Sequence, residues 1–255
     1  MVTLLWRHRI ATHGAQVTTK IYATDAYATD MQAQVLQTDV DDGRVLLDKT
    51  VFYPGGGGQP HDIGTLSIGD DQLEVVRVTA DADGVWHWLE GSLPSAGVTV
   101  HGTIDWNRRL KLMRTHTALH ALCGVIWNRY QSPVTGGNMQ PGEGRLDFDL
   151  PNWTADEIPI VEALLNEELA KRRTIQVSFL PRDAADVDPS LIRTKVNLLP
   201  KGLKEIRVID IVGLDRQADG GTHVSDTGQV GRITIPKAEN KGRGFRRIRI
   251  RLGDA

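Results

Sequence analysis

Cysteine is nearly absent from this 255-residue chain, with Cys123 standing alone. A lone cysteine excludes an internal disulfide framework and fits a reducing, cytoplasmic setting. Long apolar runs are missing too. Nothing approaches the roughly 20 residues a helix needs to span a bilayer, so no membrane partner is expected. Nor does one sign of charge dominate: Lys and Arg number 30 against 32 Asp and Glu. A polyanion would therefore have to be met by a local basic patch. There is no internal repeat and no low-complexity block beyond one glycine run. What remains, 40% apolar and 24% charged, is the composition of a globular protein with room for two modest cores.

The patterning predicts an α+β chain of two domains behind an extension. Residues 1–17 form the extension, in which Leu4-Leu5-Trp6 is too short for a signal h-region and no small-residue cleavage site follows. Residues 18–104 carry short β-branched segments over 31–40, 44–48, 64–68, 73–79, 85–89 and 98–104, separated by turn residues. That spacing predicts a small barrel or sandwich. From 105 to 255 helices and strands alternate. Asp105 is placed to cap a helix running to about Tyr130, with Leu110, Met113, Thr117 and Leu119 or Ala121 as its apolar stripe. Residues 133–144 resemble a loop and 145–149 an alternating strand. Thr154-Ala-Asp-Glu157 looks like a capping box opening a helix to about Arg173, with Pro159 tolerated in its first turns. Strands are expected over 174–180, 206–212, 229–235 and 245–252, and a short helix over 183–188.

The chemistry concentrates in two places. His116 and His120 lie four residues apart in the long helix, so their rings share a face and can reach one ion. Asp219 and His223 repeat that spacing in the glycine-rich loop Asp219-Gly-Gly-Thr-His223. Four such donors from two segments suit a zinc site, and a histidine-rich set with a carboxylate more often keeps a position open for water than a cysteine set does. Cys123, two helical turns from His116, is strained as a joint ligand and reads as core. Phe52-Tyr-Pro-Gly-Gly-Gly-Gly-Gln59 removes side chains from a loop, which lets a ligand approach the backbone amides near Gly57 and Gly58. It is neither a P-loop nor a dinucleotide fingerprint, and a mobile hairpin connection is its bland alternative. Two basic clusters stand out: Arg108, Arg109, Lys111 and Arg114 before the histidines, and Lys237, Lys241, Arg243, Arg246, Arg247, Arg249 and Arg251 near the C-terminus. The alternation Arg247-Ile-Arg249-Ile-Arg251 puts those arginines on one strand face, either as a ribbon that contacts phosphates or as a charge-guarded edge.

Together the His116-x-x-x-His120 pair, the Gly-Gly-Thr-His223 loop, the Phe-Tyr-Pro-Gly-Gly-Gly-Gly-Gln59 loop and Asn240-Lys-Gly-Arg-Gly-Phe-Arg-Arg-Ile248 resemble the AlaX family. These are free-standing alanyl-tRNA editing proteins, related to the editing domain of alanyl-tRNA synthetase and more distantly to that of threonyl-tRNA synthetase. The likeness runs from about Lys20 to Leu252 and is to the medium-length members, with nothing resembling a class II aminoacylation core. It implies a barrel followed by an α+β editing domain, and an ATP-independent hydrolase. Its substrate would be tRNA(Ala) carrying a non-cognate amino acid at its acceptor end, chiefly serine and secondarily glycine. A pocket built for alanine excludes such residues poorly. One zinc ion per chain is implied, held by His116, His120 and His223, with Asp219 where the family pattern has cysteine. Asp219 either ligates the ion, accepts a proton from beside it, or marks loss of the metal. The last case would leave a non-catalytic tRNA-binding protein, and a deacylase for another aminoacyl-tRNA is a further alternative. On this reading His116, His120, Asp219 and His223 are catalytic. Thr135, Gly57, Gly58, Gln59, Arg114, Arg246 and Arg247 are substrate contacts, Thr135 as the hydroxyl facing a serine side chain.

Overall fold

The computed structural model describes residues 18–194, 202–242 and 244–253. The expected extension over 1–17, and Arg243 in the C-terminal basic run, lie outside them. In chain order the first elements are β1 (Thr19–Lys20), α1 (Ile21–Thr24), β2 (Asp30–Asp39), β3 (Arg44–Leu47), β4 (Lys49–Thr50), β5 (Gly64–Ile68), β6 (Asp71–Ala80), β7 (Val85–Glu90) and β8 (Thr99–Ile104). Six of them close a barrel in the order β2-β3-β7-β6-β5-β8. Alternation is the cause: Met31, Ala33 and Val35 turn inward from β2 to meet Val45, Leu66, Val75, Val78, Val85 and Val100, and neighbouring positions face water. The expected barrel is thus present, with strand ends within a residue or two of those read from the sequence.

The chain continues with α2 (Trp106–Tyr130), β9 (Val134–Gln140), β10 (Glu143–Asp149), α3 (Glu157–Ala170), β11 (Ile175–Pro181), α4 (Arg182–Asp186), β12 (Glu205–Ile211), β13 (Asp215–Ala218), β14 (Ile233–Asn240) and β15 (Phe245–Leu252). Asp105 caps α2 as expected, its side chain accepting from Arg108 N at 3.0 Å. The stripe on α2 needs correcting. Every residue from Thr115 to Ile126 is buried, and Leu110 only partly so. This helix is surrounded by the sheet β14-β15-β10-β9, by α3 and by β13, which is why a one-sided pattern is weak in it. Trp106, at its start, packs against both the barrel core and the core around α2. Among the described residues no helix is long and apolar enough to cross a membrane.

Three local expectations fail for identifiable reasons. Residues 134–140 are a strand rather than a loop, because pairing with β10 imposes it: Gly137 sits opposite Leu146, where a Cβ would lie 2.9 Å from Leu146 Cδ2. The capping box at Thr154 does not form. Glu157 instead takes the Tyr130 hydroxyl, with Arg129 at 3.4 Å, and the helix ends at Ala170 because Arg172 turns left-handed at φ 52. The strand expected over 229–235 begins only at Ile233, since Asp226 caps a 3-10 turn over Thr227–Val230, its carboxylate accepting from Gly228 N at 2.8 Å.

Candidate metal centre and cleft

The long helix brings His116 and His120 to one side as their spacing requires, and the segment after β13 carries Asp219 and His223 over them. One donor atom from each of the four lies within 4.8 Å of the others. His223 Nε2 stands 3.0 Å from Asp219 Oδ1, and His116 Nε2 stands 3.7 Å from Asp219 Oδ2. The rings of His116 and His223 are stacked with centroids 4.3 Å apart, and His120 meets both edge-on.

Each ring also has its far nitrogen turned to a protein partner. His116 Nδ1 lies 2.9 Å from Gln59 Oε1, an oxygen that also accepts from Thr222 N at 3.0 Å. An amide oxygen only accepts, so the network assigns the proton to Nδ1 and leaves the Nε2 lone pair towards Asp219. His120 Nδ1 lies 3.3 Å from Asp215 Oδ2, near enough to pair electrostatically though not aligned as a good hydrogen bond. His223 Nδ1 faces Thr117 Oγ1 at 3.4 Å. Outer partners of this kind orient imidazoles for metal binding. Burial pushes His116 well below the ordinary histidine value despite Asp219, and His223 to about 4. Both rings therefore keep a free lone pair at neutral pH. For His120 burial works the same way, but the Asp215 contact overrides it and raises the ring. Burial would raise Asp219, and His116, His223 and His120 together hold it well below the carboxylate range instead. Three imidazole nitrogens and an ionised carboxylate can hold a divalent metal ion.

Glycine matters here through close approach. A Cβ on Gly221 would stand 2.4 Å from His116 Cε1 and 2.7 Å from Gln59 Oε1. Gly221→Ala should therefore displace the His116 ring and weaken metal affinity by about 10–100-fold, the usual range for disturbing an outer partner. Competition against a chromogenic chelator measures it, and unchanged affinity would show that the loop yields instead.

Three of the four donors, His116, His120 and Asp219, line a cleft of about 890 Å³ shared by the glycine loop, β9, α2 and the β11-β12-β13 sheet, and His223 is buried beside them. Gly55 to Gly58 all take positive φ, between 59° and 132°, which L side chains adopt only with strain. The loop turns back on itself as a tight hairpin, Gly56 and Gln59 exchanging backbone hydrogen bonds at 3.0 and 2.9 Å, and it walls the cleft with Gly57 facing Asp219 and Gly58 O accepting from Met139 N at 3.3 Å.

The family comparisons agree on one assignment. Residues 8–108 match the family model described as "tRNA synthetases class II (A)", and residues 206–249 match "Threonyl and Alanyl tRNA synthetase second additional domain". The chain is 35% identical to the alanyl-tRNA editing protein AlaX-M of Saccharolobus solfataricus, covering 91% of this chain and 98% of that one. The AlaX-M protein of Methanosarcina barkeri is 34% identical over 93% of this chain and all of its own length. This chain belongs to the AlaX-M family of alanyl-tRNA editing proteins.

Alanine–tRNA ligase of Thermococcus kodakarensis also matches at 34% identity, over 93% of this chain but only 26% of the ligase. The match to the class II family model is confined to residues 8–108. In this AlaX-M relative the matched stretch holds the barrel and the glycine loop.

Other residues singled out in the sequence fall variously. Thr135, Gly57 and Gly58 line the cleft, Thr135 exposed at its edge, and Gln59 is buried against His116. Cys123 is buried as expected, its thiol pushed up by burial. Arg109 faces no solvent: it is fully buried and forked onto Asp62, so it steers nothing. Arg114 donates to Val230 O at 3.1 and 2.9 Å, tying α2 to the 3-10 turn. On β15 the arginines share a face as the alternation requires, with Ile248 and Ile250 buried behind them. Arg247 is forked onto Asp147 at 2.7 Å, Arg249 and Arg251 meet Glu239 and Glu143, and Arg246 donates to Phe245 O. Sequence reading missed Asp215, Thr117 and Arg207. Arg207 donates to Asp219 O at 3.0 Å and Gly221 O at 2.8 Å, holding the ligand loop from below. Asp215 carried one signal, standing four residues before Asp219 as Asp219 stands before His223.

Proposed function

We propose that this protein deacylates mischarged tRNA(Ala) in trans, removing serine and glycine, with one zinc ion held by His116, His120, Asp219 and His223. The observation that carries the reading is the convergence of those four donors, each imidazole oriented by an outer partner, at the wall of a cleft in a chain whose relatives are named alanyl-tRNA editing proteins. Zinc, when bound, supplies a Lewis acid and lowers the pKa of water. The chain does the rest. Asp219 lies between His116 and His223 at 3.7 and 3.0 Å, which favours a ligand role over a merely adjacent one. Gln59 and Asp215 hold two of the rings in place. Gly57 and Gly58 leave room for the terminal ribose beside Asp219, and the Thr135 hydroxyl faces a serine side chain from β9. Arg114, Arg246 and Arg247 add positive potential along the path of the acceptor stem. In this division of labour residues 18–104 supply the glycine-loop wall, and residues from 105 onward supply the donors and the rest of the cleft.

The purified protein should contain close to one zinc per chain and release serine from Ser-tRNA(Ala) faster than alanine from Ala-tRNA(Ala). A deacylation panel across tRNA species, run beside metal analysis, decides it. Release from another tRNA alone would replace the substrate. No metal and no release would leave a protein that only binds tRNA.

A further inference from the structure

The three strands β11, β12 and β13 place a row of side chains across one sheet face. Phe179 pairs directly with Arg207 in the β11-β12 register, and Asp219 N donates to Arg207 O at 3.1 Å from the far side. Residues directly opposite on neighbouring strands point to the same face, so Phe179, Arg207 and Asp219 stand in line. The opposite face is spent elsewhere, since Leu180, Ile206, Val208 and Ala218 pack into a small core of their own. All three members of the row line the cleft. Strands about 4.8 Å apart put Phe179 about 10 Å from Asp219.

Phe179 is 42% exposed, whereas the other aromatic residues lining the cleft, Tyr22 and Tyr53, are 5% and 4% exposed and packed edge-to-face on each other. An open phenyl ring in a cleft, one nucleoside's length from a candidate metal centre, has a specific chemical partner. We infer that Phe179 is the platform on which the terminal nucleobase of the aminoacylated RNA stacks, while its ribose ester reaches the Asp219 end of the row. The inference rests on the deacylase reading and adds a subsite to it. Stacking suits the task because every base has a π-face, so an aromatic platform fixes the position of the end nucleotide without reading its hydrogen-bonding edge. Arg207, between them, donates through its guanidinium edge to Ala23 O, Asp219 O and Gly221 O, which fixes the middle of the row.

The test uses the full-length protein and two non-hydrolysable probes: an adenosine carrying serine through a 3′-amide, and the same seryl ribose without its base. Phe179→Ala is expected to weaken binding of the adenosine probe about tenfold, as loss of one stacked base does, and to leave the base-less probe unchanged. Phe179→Trp should retain binding and Phe179→Leu should not, which separates stacking from simple apolar contact. In deacylation the same loss should appear in KM, with kcat kept. If the unaltered protein hydrolyses Ser-tRNA(Ala) but Phe179→Ala binds both probes normally, the platform is wrong and the deacylase stands. The platform is likewise wrong if both probes weaken equally. If the unaltered protein neither hydrolyses the ester nor binds the adenosine probe, both readings fall.

Discussion

His116→Ala should lower release of serine from mischarged tRNA on the order of a thousandfold and strip the bound metal. The magnitude follows from what the ring supports. Lewis-acid stabilisation contributes several kcal/mol to such a reaction, and each 1.36 kcal/mol is a decade in rate. His116 is also where the barrel's loop meets the donor set: Gln59 accepts from its Nδ1, and Gly221 is packed against its Cε1 edge. Truncating it removes a donor and leaves the Gln59 carboxamide with one partner fewer in a buried site. Single-turnover deacylation beside metal analysis reads both losses. A His116→Ala protein that still binds metal stoichiometrically, or hydrolyses at the original rate, would remove the ring from the centre.

Asp62→Ala should destabilise the protein by about 3–5 kcal/mol, the cost of leaving a buried charge without its partner. The Arg109 and Asp62 side chains are 0% and 1% exposed. Arg109 Nε lies 3.0 Å from both Asp62 oxygens, and the same guanidinium donates to Ala26 O and Val51 O. Asp62 in turn accepts from Tyr53 N at 2.6 Å and donates its own backbone N–H to Tyr53 O, closing the glycine loop at its neck. The pair therefore fastens α2 to the loop that presents Gln59. Urea unfolding gives the stability change. Arg109→Met added to Asp62→Ala should recover part of it, because the stranded charge is then gone. A loss below about 1 kcal/mol in the single variant would show that water enters and rescues the guanidinium.

The barrel was legible because its strands alternate and its turns carry Asp, Gly, Ser and Pro. The donor set was legible because helical geometry turns a spacing of four into proximity. Partners joined only by tertiary packing were not. Nothing local in Asp62 and Arg109, 47 residues apart, announces a buried pair, and the arginines grouped with the basic cluster on composition include one with no solvent contact at all. The strand over Val134–Gln140 was hidden for a related reason: its two glycines and asparagine disfavour β structure, and only its partner β10 supplies the pairing that overrides them. Charge on β15 was visible, but the carboxylates of Asp147, Glu143 and Glu239 that meet it lie on other strands or beyond a hairpin.

Every atom offered to the centre is nitrogen or oxygen, and the one sulfhydryl is sealed in the core with its proton firmly held. Peroxide, disulfide reagents and alkylating electrophiles act on accessible thiolates. They find none in this cluster, so proofreading by such a protein would persist through oxidative stress that silences sulfur-ligated centres.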